Sequence, residues 1–206
     1  MKRTDIINLL IKKYQYKSYL EIGTQWPASN FDKIDVDYKF SIEPFPVDKV
    51  DFIGTSDAYF ESITNDTKFD IIFIDGLHHN DQVLKDIQNS LNYLNEGGFI
   101  LLHDCNPPEE FLQLVPRQSG LWNGDVWKSI VKLRCLDPNL EISVVDTDWG
   151  VGVVRRGSQK LYDKASIHEC LTWEYFDKNR DELVNIISVE EFFEKYKKKI
   201  LNQMLF

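Results

Sequence analysis

Residues 69–107 read FDIIFIDGLHHNDQVLKDIQNSLNYLNEGGFILLHDCNP. Ile71 to Ile74 form a continuous apolar run, short enough for a strand buried on both faces. Val83, Leu84, Ile87, Leu91 and Leu94 then recur at helical spacing. Asn80 or Asp81 suits the cap of that helix, and Gly97-Gly98 suits its stop. Phe99 to Leu102 is a second buried run. Strand, helix, strand in this order predicts a parallel pair joined by a crossover. Both strands end in polar residues: Asp75, His78 and His79 after the first, His103, Asp104 and Asn106 after the second.

The pattern extends on both sides. Ile6, Ile7, Leu10, Ile11 and Tyr14 share one face of an N-terminal helix. SYLEIG, YKFSIEP and VDFIG read as strands one to three, so the quoted pair becomes strands four and five. Asn106 to Asn123 holds Pro107, Pro108 and Pro116 with little periodicity, and is expected to be a long functional loop. DVWKSIVKLRC is a helix. LEISVVDTD and WGVGVVRR lie too close for a crossover and should pair as an antiparallel hairpin. From Ile167 the tail is helical, with a Ser188/Glu191 capping box and a stripe of Phe192, Phe193, Tyr196 and Ile200. The expected fold is α/β, a Rossmann-like, mostly parallel sheet of seven strands with helices on both faces. Residues 1–160 form the main domain. Residues 161–206 form a helical extension, packed on that domain or across a two-fold in a homodimer.

The chain has 206 residues, 43% of them hydrophobic, and a net charge of -9. That suits one folded core and a small-molecule partner, not nucleic acid. The Lys-dense run, Lys195, Lys197, Lys198 and Lys199, reads as the solvated face of a helix. Cys105, Cys135 and Cys170 are odd in number and widely spaced, as expected of reduced thiols in a reducing compartment. The N-terminus is too polar for a signal peptide, and nothing approaches a membrane span, so a cytoplasmic location is expected.

Ligands of an open parallel sheet bind beyond the carboxyl ends of its strands. Glu21 and Gly23 end strand one, Glu43 ends strand two, and the two polar turns follow strands four and five. Neighbouring strands lie about 5 Å apart, so Asp75 and Asp104 should face one cavity. Singly, each acid also has a reading as a mere helix cap, and adjacent histidines in a loop are more often solvated than functional. Together they are harder to dismiss, because burying unpartnered acids costs several kcal/mol each.

YLEIG, SIEP, the 69–107 stretch and VVDTDWGVGVVRR resemble the class I S-adenosylmethionine-dependent methyltransferases. They are most similar to the methyltransferase-domain family with a D-G-x-H-H turn after strand four and an H-D turn after strand five. The resemblance spans residues 15 to 157. It implies strand order 3-2-1-4-5-7-6, with strand 7 antiparallel. It implies S-adenosyl-L-methionine (SAM) bound by Glu21, Gly23, Thr24, Glu43, Ser56, Asp57 and Asp75, with Gly23 letting backbone approach the cofactor. The activity it implies is O-methylation of a small polar or sugar-linked acceptor. Deprotonation would fall to His78, His79 or His103 among a catalytic group that includes Asp75 and Asp104. The alternative is Mg²⁺ held by Asp75, Asp104 and Asn106. Cys105 stands where related enzymes often place an amide or a second acid, and a soft ligand there is poor for Mg²⁺. The first loop departs from the pattern, with Trp26 and Pro27 where small residues are expected, leaving a degenerate, cofactor-free binding protein as a second reading. A metal-dependent hydrolase built on Asp75, His78, His79 and Asp104 is a third.

Overall fold

The computed structural model describes residues 1–64 and 66–197. Its frame is one sheet. After helix α1 (Arg3–Tyr14) come β1 (Ser18–Ile22), β2 (Tyr38–Glu43) and β3 (Phe52–Ile53). Next are α2 (Ser56–Ser62), β4 (Phe69–Ile74), α3 (Asn80–Tyr93) and β5 (Leu94–Leu102). Then α4 (Trp127–Leu136) leads to the hairpin β6 (Leu140–Val145) and β7 (Val151–Arg156). The tail adds α5 (Ile167–Cys170), α6 (Trp173–Leu183), β8 (Ile186–Ile187) and α7 (Val189–Lys197). The order is β3-β2-β1-β4-β5-β7-β6-β8, with β7 antiparallel to both neighbours.

The anticipated seven-strand order is present, with an eighth strand at the β6 edge. Residues Ile186 and Ile187 pair parallel with Val144 and Val145, although the tail reads as helical in sequence. The boundary after α3 also differs. Leu94 belongs to β5, opposite Phe69, and Gly97-Gly98 lie within that strand. The pairing shifts register there, so the glycines mark an irregular strand start and not a helix stop.

Why β4 and β5 are unbroken apolar runs is plain from the layers. Ile72, Ile74, Ile100 and Leu102 face one core with α2 to α6. Ile71, Phe73, Phe99 and Leu101 face the other, against α1 and α7. Phe192 and Tyr196 of the tail are buried in this second core of the same chain. The Ser188/Glu191 box is made, with Ser188 N–H donating to Glu191 Oε2 at 2.7 Å and Glu191 N–H to Ser188 Oγ at 3.1 Å. Lys198, Lys199 and Ile200 lie outside the described residues. Among the described residues no helix is long and apolar enough to cross a membrane.

Candidate active site

The polar ends of β1, β4 and β5 are drawn together by backbone pairing that runs one residue past each strand. Asp75 N–H donates to Ile22 O at 2.8 Å, and His103 N–H to Ile74 O at 3.1 Å. Gly23, at φ +94°, crosses directly beneath the β4 terminus, and a Cβ there would lie 2.2 Å from the Asp75 carbonyl oxygen. Its lack of a side chain serves this crossing.

Four of the expected residues meet around a cavity of about 330 Å³, lined in part by Asp75, His78, His103 and Asp104. His78 bridges the two acids, with Nε2 3.3 Å from Asp75 Oδ1 and Nδ1 3.4 Å from Asp104 Oδ2. His103 Nδ1 also faces both, at 3.4 and 3.1 Å. Asp104 adopts φ +61°, a left-handed conformation that turns its carboxylate inward. Asn123 Nδ2 donates to Asp104 Oδ1 at 2.5 Å. His78 is fixed from below: its carbonyl accepts from Asp125 N–H at 3.1 Å, and Gly124 passes so close that a Cβ would lie 2.0 Å from that carbonyl. Trp122 stacks on its imidazole at 5.2 Å.

Three members were not visible in the sequence. Arg3, at the start of α1, reaches Asp148 Oδ2 through its backbone N–H at 2.9 Å and Nη1 at 3.0 Å. The same Nη1 lies 3.1 Å from His103 Nε2, and Nε lies 3.8 Å from Asp75. Asp148 and Trp149 sit in the β6–β7 turn, quoted above only as part of a hairpin. The TDWG run there, polar and glycine-ended at a strand terminus, is the signal that marks it.

Charge in this group is balanced by proximity. Burial works to raise the pKa of Asp75, but the imidazoles of His103 and His78 override it and hold it well below the carboxylate range. Burial works to lower His103, yet Asp75, Asp104 and Asp148 push it up to about 11. His78 is raised as well, its burial outweighed by Asp75 and Asp104. Asp148 is lowered, the imidazole of His103 and Arg3 overcoming burial.

Other expected residues fall elsewhere. His79 precedes α3, its ring edge-on to Trp122 at 5.9 Å. Asn106 does not join the acids: its Oδ1 accepts from Arg180 Nη1 at 3.0 Å. Among the described residues the group able to hold a metal is Asp75, His78 and Asp104, whose donor atoms lie within 4.8 Å of one another. Cys105 is buried, and burial keeps its thiol protonated. Trp127, at the start of α4, is core, its ring 4.2 Å from that of Phe176.

The cofactor-side residues are spread over β1, β2 and α2. Glu43 closes β2, with Oε1 accepting from Phe45 N–H at 2.9 Å. Gly23 and Thr24 both donate their amides to Ile42 O, at 2.9 and 3.1 Å. Trp26 there is 59% exposed. Ser56 Oγ donates to Asp86 at 2.6 Å, and Asp57 pairs with Lys85 at 2.6 Å, so both are engaged between α2 and α3.

Glu21 is sealed in, accepting from Asn30 Nδ2 at 2.7 Å and from the Tyr19 hydroxyl. Burial raises its pKa from an ordinary 4.5 to about 7, against the lowering effect of those two donors. Between these values the folded chain keeps a proton that the unfolded chain has released, so this group's contribution to stability falls as pH rises through that window. Glu21→Gln is therefore expected to stabilise the chain by about 3 kcal/mol at pH 8 and to change little below pH 4.5. Urea unfolding at the two pH values checks this.

Residues 43–105 match the family model described as a methyltransferase domain. The matched segment runs from Glu43 through Asp75 and His78 to Asp104. A search of the curated proteins finds no match. Among solved structures, the SAH-bound methyltransferase PaMTH1 of Podospora anserina is 18% identical, with a TM-score of 0.58, covering 76% of this chain and 78% of that one. The Bacillus cereus O-methyltransferase in complex with SAH is 14% identical, at 0.56, covering 75% and 80%. The O-methyltransferase TomG of Streptomyces achromogenes, in complex with SAM, is 14% identical, at 0.55, covering 75% and 79%. Segment and architecture agree: residues 43–105 match a methyltransferase domain, and the chain has the fold of these methyltransferases.

Proposed function

We propose that this chain is a SAM-dependent O-methyltransferase acting on a small polar acceptor. The observation that carries the reading is the convergence of Asp75, His78, His103 and Asp104 on one cavity at the carboxyl ends of β4 and β5. The net charge of -9 favours a small molecule over nucleic acid. Glu43 at the end of β2 stands where ribose hydroxyls would donate to it, and Asp75 where an amino group would. When bound, SAM supplies a methyl group already activated on a sulfonium.

The chain's own task is then to hold an acceptor hydroxyl in line and to take its proton. Asp75, His78 and Asp104 would hold a divalent cation, which lowers the pKa of a bound hydroxyl. Asn123 Oδ1, buried and unpartnered beside Asp104, adds an oxygen to that set. An imidazole among the donors suits Mn²⁺ at least as well as Mg²⁺. His103 lies against both acids and is itself braced by Arg3 and Asp148, so these three position the acids and do not touch the acceptor first.

The test is SAH formation from SAM in the presence of Mn²⁺ or Mg²⁺ and pooled small hydroxyl compounds. The expected result is SAH release that depends on both the acceptor pool and the cation. No SAM binding and no SAH release with any hydroxyl compound would instead favour the degenerate, cofactor-free binding protein.

A further inference from the structure

The cavity has a wall that the proton chemistry leaves unused, formed by Arg117, Leu121, Trp122 and Trp149. Trp149 sits in three consecutive left-handed residues, Asp148 at φ +49°, Trp149 at +66° and Gly150 at +85°. Side-chain-bearing residues rarely adopt that backbone, and here it is held from two sides. Arg3 grips Asp148, while Asn106 N–H donates to Trp149 O at 2.8 Å and Cys105 N–H to Gly150 O at 3.0 Å. Trp149 is thereby held at the cavity mouth, 39% exposed. Strain of this kind concentrates where a ligand is gripped.

Arg117 supplies a charge. Its Nε donates to Ser119 O at 2.7 Å and its Nη2 to Gly120 O, and the guanidinium lies 5.8 Å from the Trp122 ring. Among the described residues no carboxylate pairs with it, whereas Arg3 on the same cavity is matched to Asp148 and Asp75. An unmatched guanidinium at the mouth of a cavity, on a chain of net charge -9, is suited to an anion brought by the ligand.

We propose that the acceptor is a ring compound bearing both a hydroxyl and a carboxylate. The hydroxyl meets Asp75 and Asp104, the ring lies on Trp149, and the carboxylate meets Arg117. This rests on the methyltransferase reading and names its substrate class. An aromatic hydroxy acid and a sugar acid share this chemistry.

Calorimetric titration of the full chain, saturated with SAH, separates them. The probes are 4-hydroxybenzoate with its neutral amide, and glucuronate with glucose. One acid is expected to bind at least about tenfold tighter than its neutral counterpart, and which acid does so identifies the ring. Arg117→Gln should abolish that ratio and leave the neutral probe's binding in place. Trp149→Asn, a residue that tolerates left-handed backbone, should weaken both members about tenfold. Equal affinities within both pairs, no binding by any of the four, or an unchanged ratio in Arg117→Gln overturns the inference. SAH binding is measured first on the same sample. Binding of SAH without acid selectivity defeats only the acceptor class. Absence of SAH binding defeats the methyltransferase reading, and the four titrations on the cofactor-free chain then decide the wall's role by the same ratios.

Discussion

Gly23→Ala is expected to cost more than about 4 kcal/mol and to leave little folded protein at 37 °C. The position joins two demands that a methyl group breaks at once. Its φ of +94° is one that L-residues rarely adopt, and the added carbon would lie 2.2 Å from the Asp75 oxygen and 2.5 Å from the Gly76 Cα. Both obstacles are backbone, at the centre of the sheet, where β1 and β4 pair in register from Tyr19↔Ile71 to Ile22↔Ile74. No side chain can swing aside. Relief requires parting the two central strands, and tightly packed interiors resist such overpacking. The measurement is urea unfolding of the variant against Gly76→Ala, whose added carbon would meet its nearest neighbour at an ordinary 3.5 Å.

Asp104→Asn is the second large effect, and it falls on chemistry. Asparagine tolerates the left-handed backbone that Asp104 adopts at φ +61°, so the turn should survive. What is lost is one negative charge at the point where His78, at 3.4 Å, and His103, at 3.1 Å, converge. The variant is expected to reduce methyl transfer by about 10²–10⁴-fold, the usual contribution of a proton-handling group. Mn²⁺ affinity should fall with it. Thermal unfolding of the same sample separates this from a folding defect. An active variant would remove Asp104 from the chemistry.

The quoted stretch was legible because burial on both faces leaves a strand no polar positions. Ile71 to Ile74 and Phe99 to Leu102 each alternate between two cores, and the first polar residue after them marks where the sheet ends. The acids at those ends were legible for the same reason. Arg3 was not, since its partner Asp148 lies 145 positions away and an arginine opening an amphipathic helix looks like any solvated one. Asn106 stands two residues after Asp104, but the left-handed residue between strand and loop swings the chain, and Asn106 meets Arg180 instead. The two-residue β8 carries too little pattern to be seen inside a helical tail.

SAM is expected to occupy the crevice bounded by Glu43, Gly23 and Asp75. Calorimetric titration of the full chain with SAH tests it most directly. Saturable binding at one site per chain is predicted, weakened at least about tenfold in Glu43→Ala, the loss of charge-assisted hydrogen bonds worth about 1.5–3 kcal/mol. No heat up to millimolar SAH, or undiminished binding in Glu43→Ala, would contradict it.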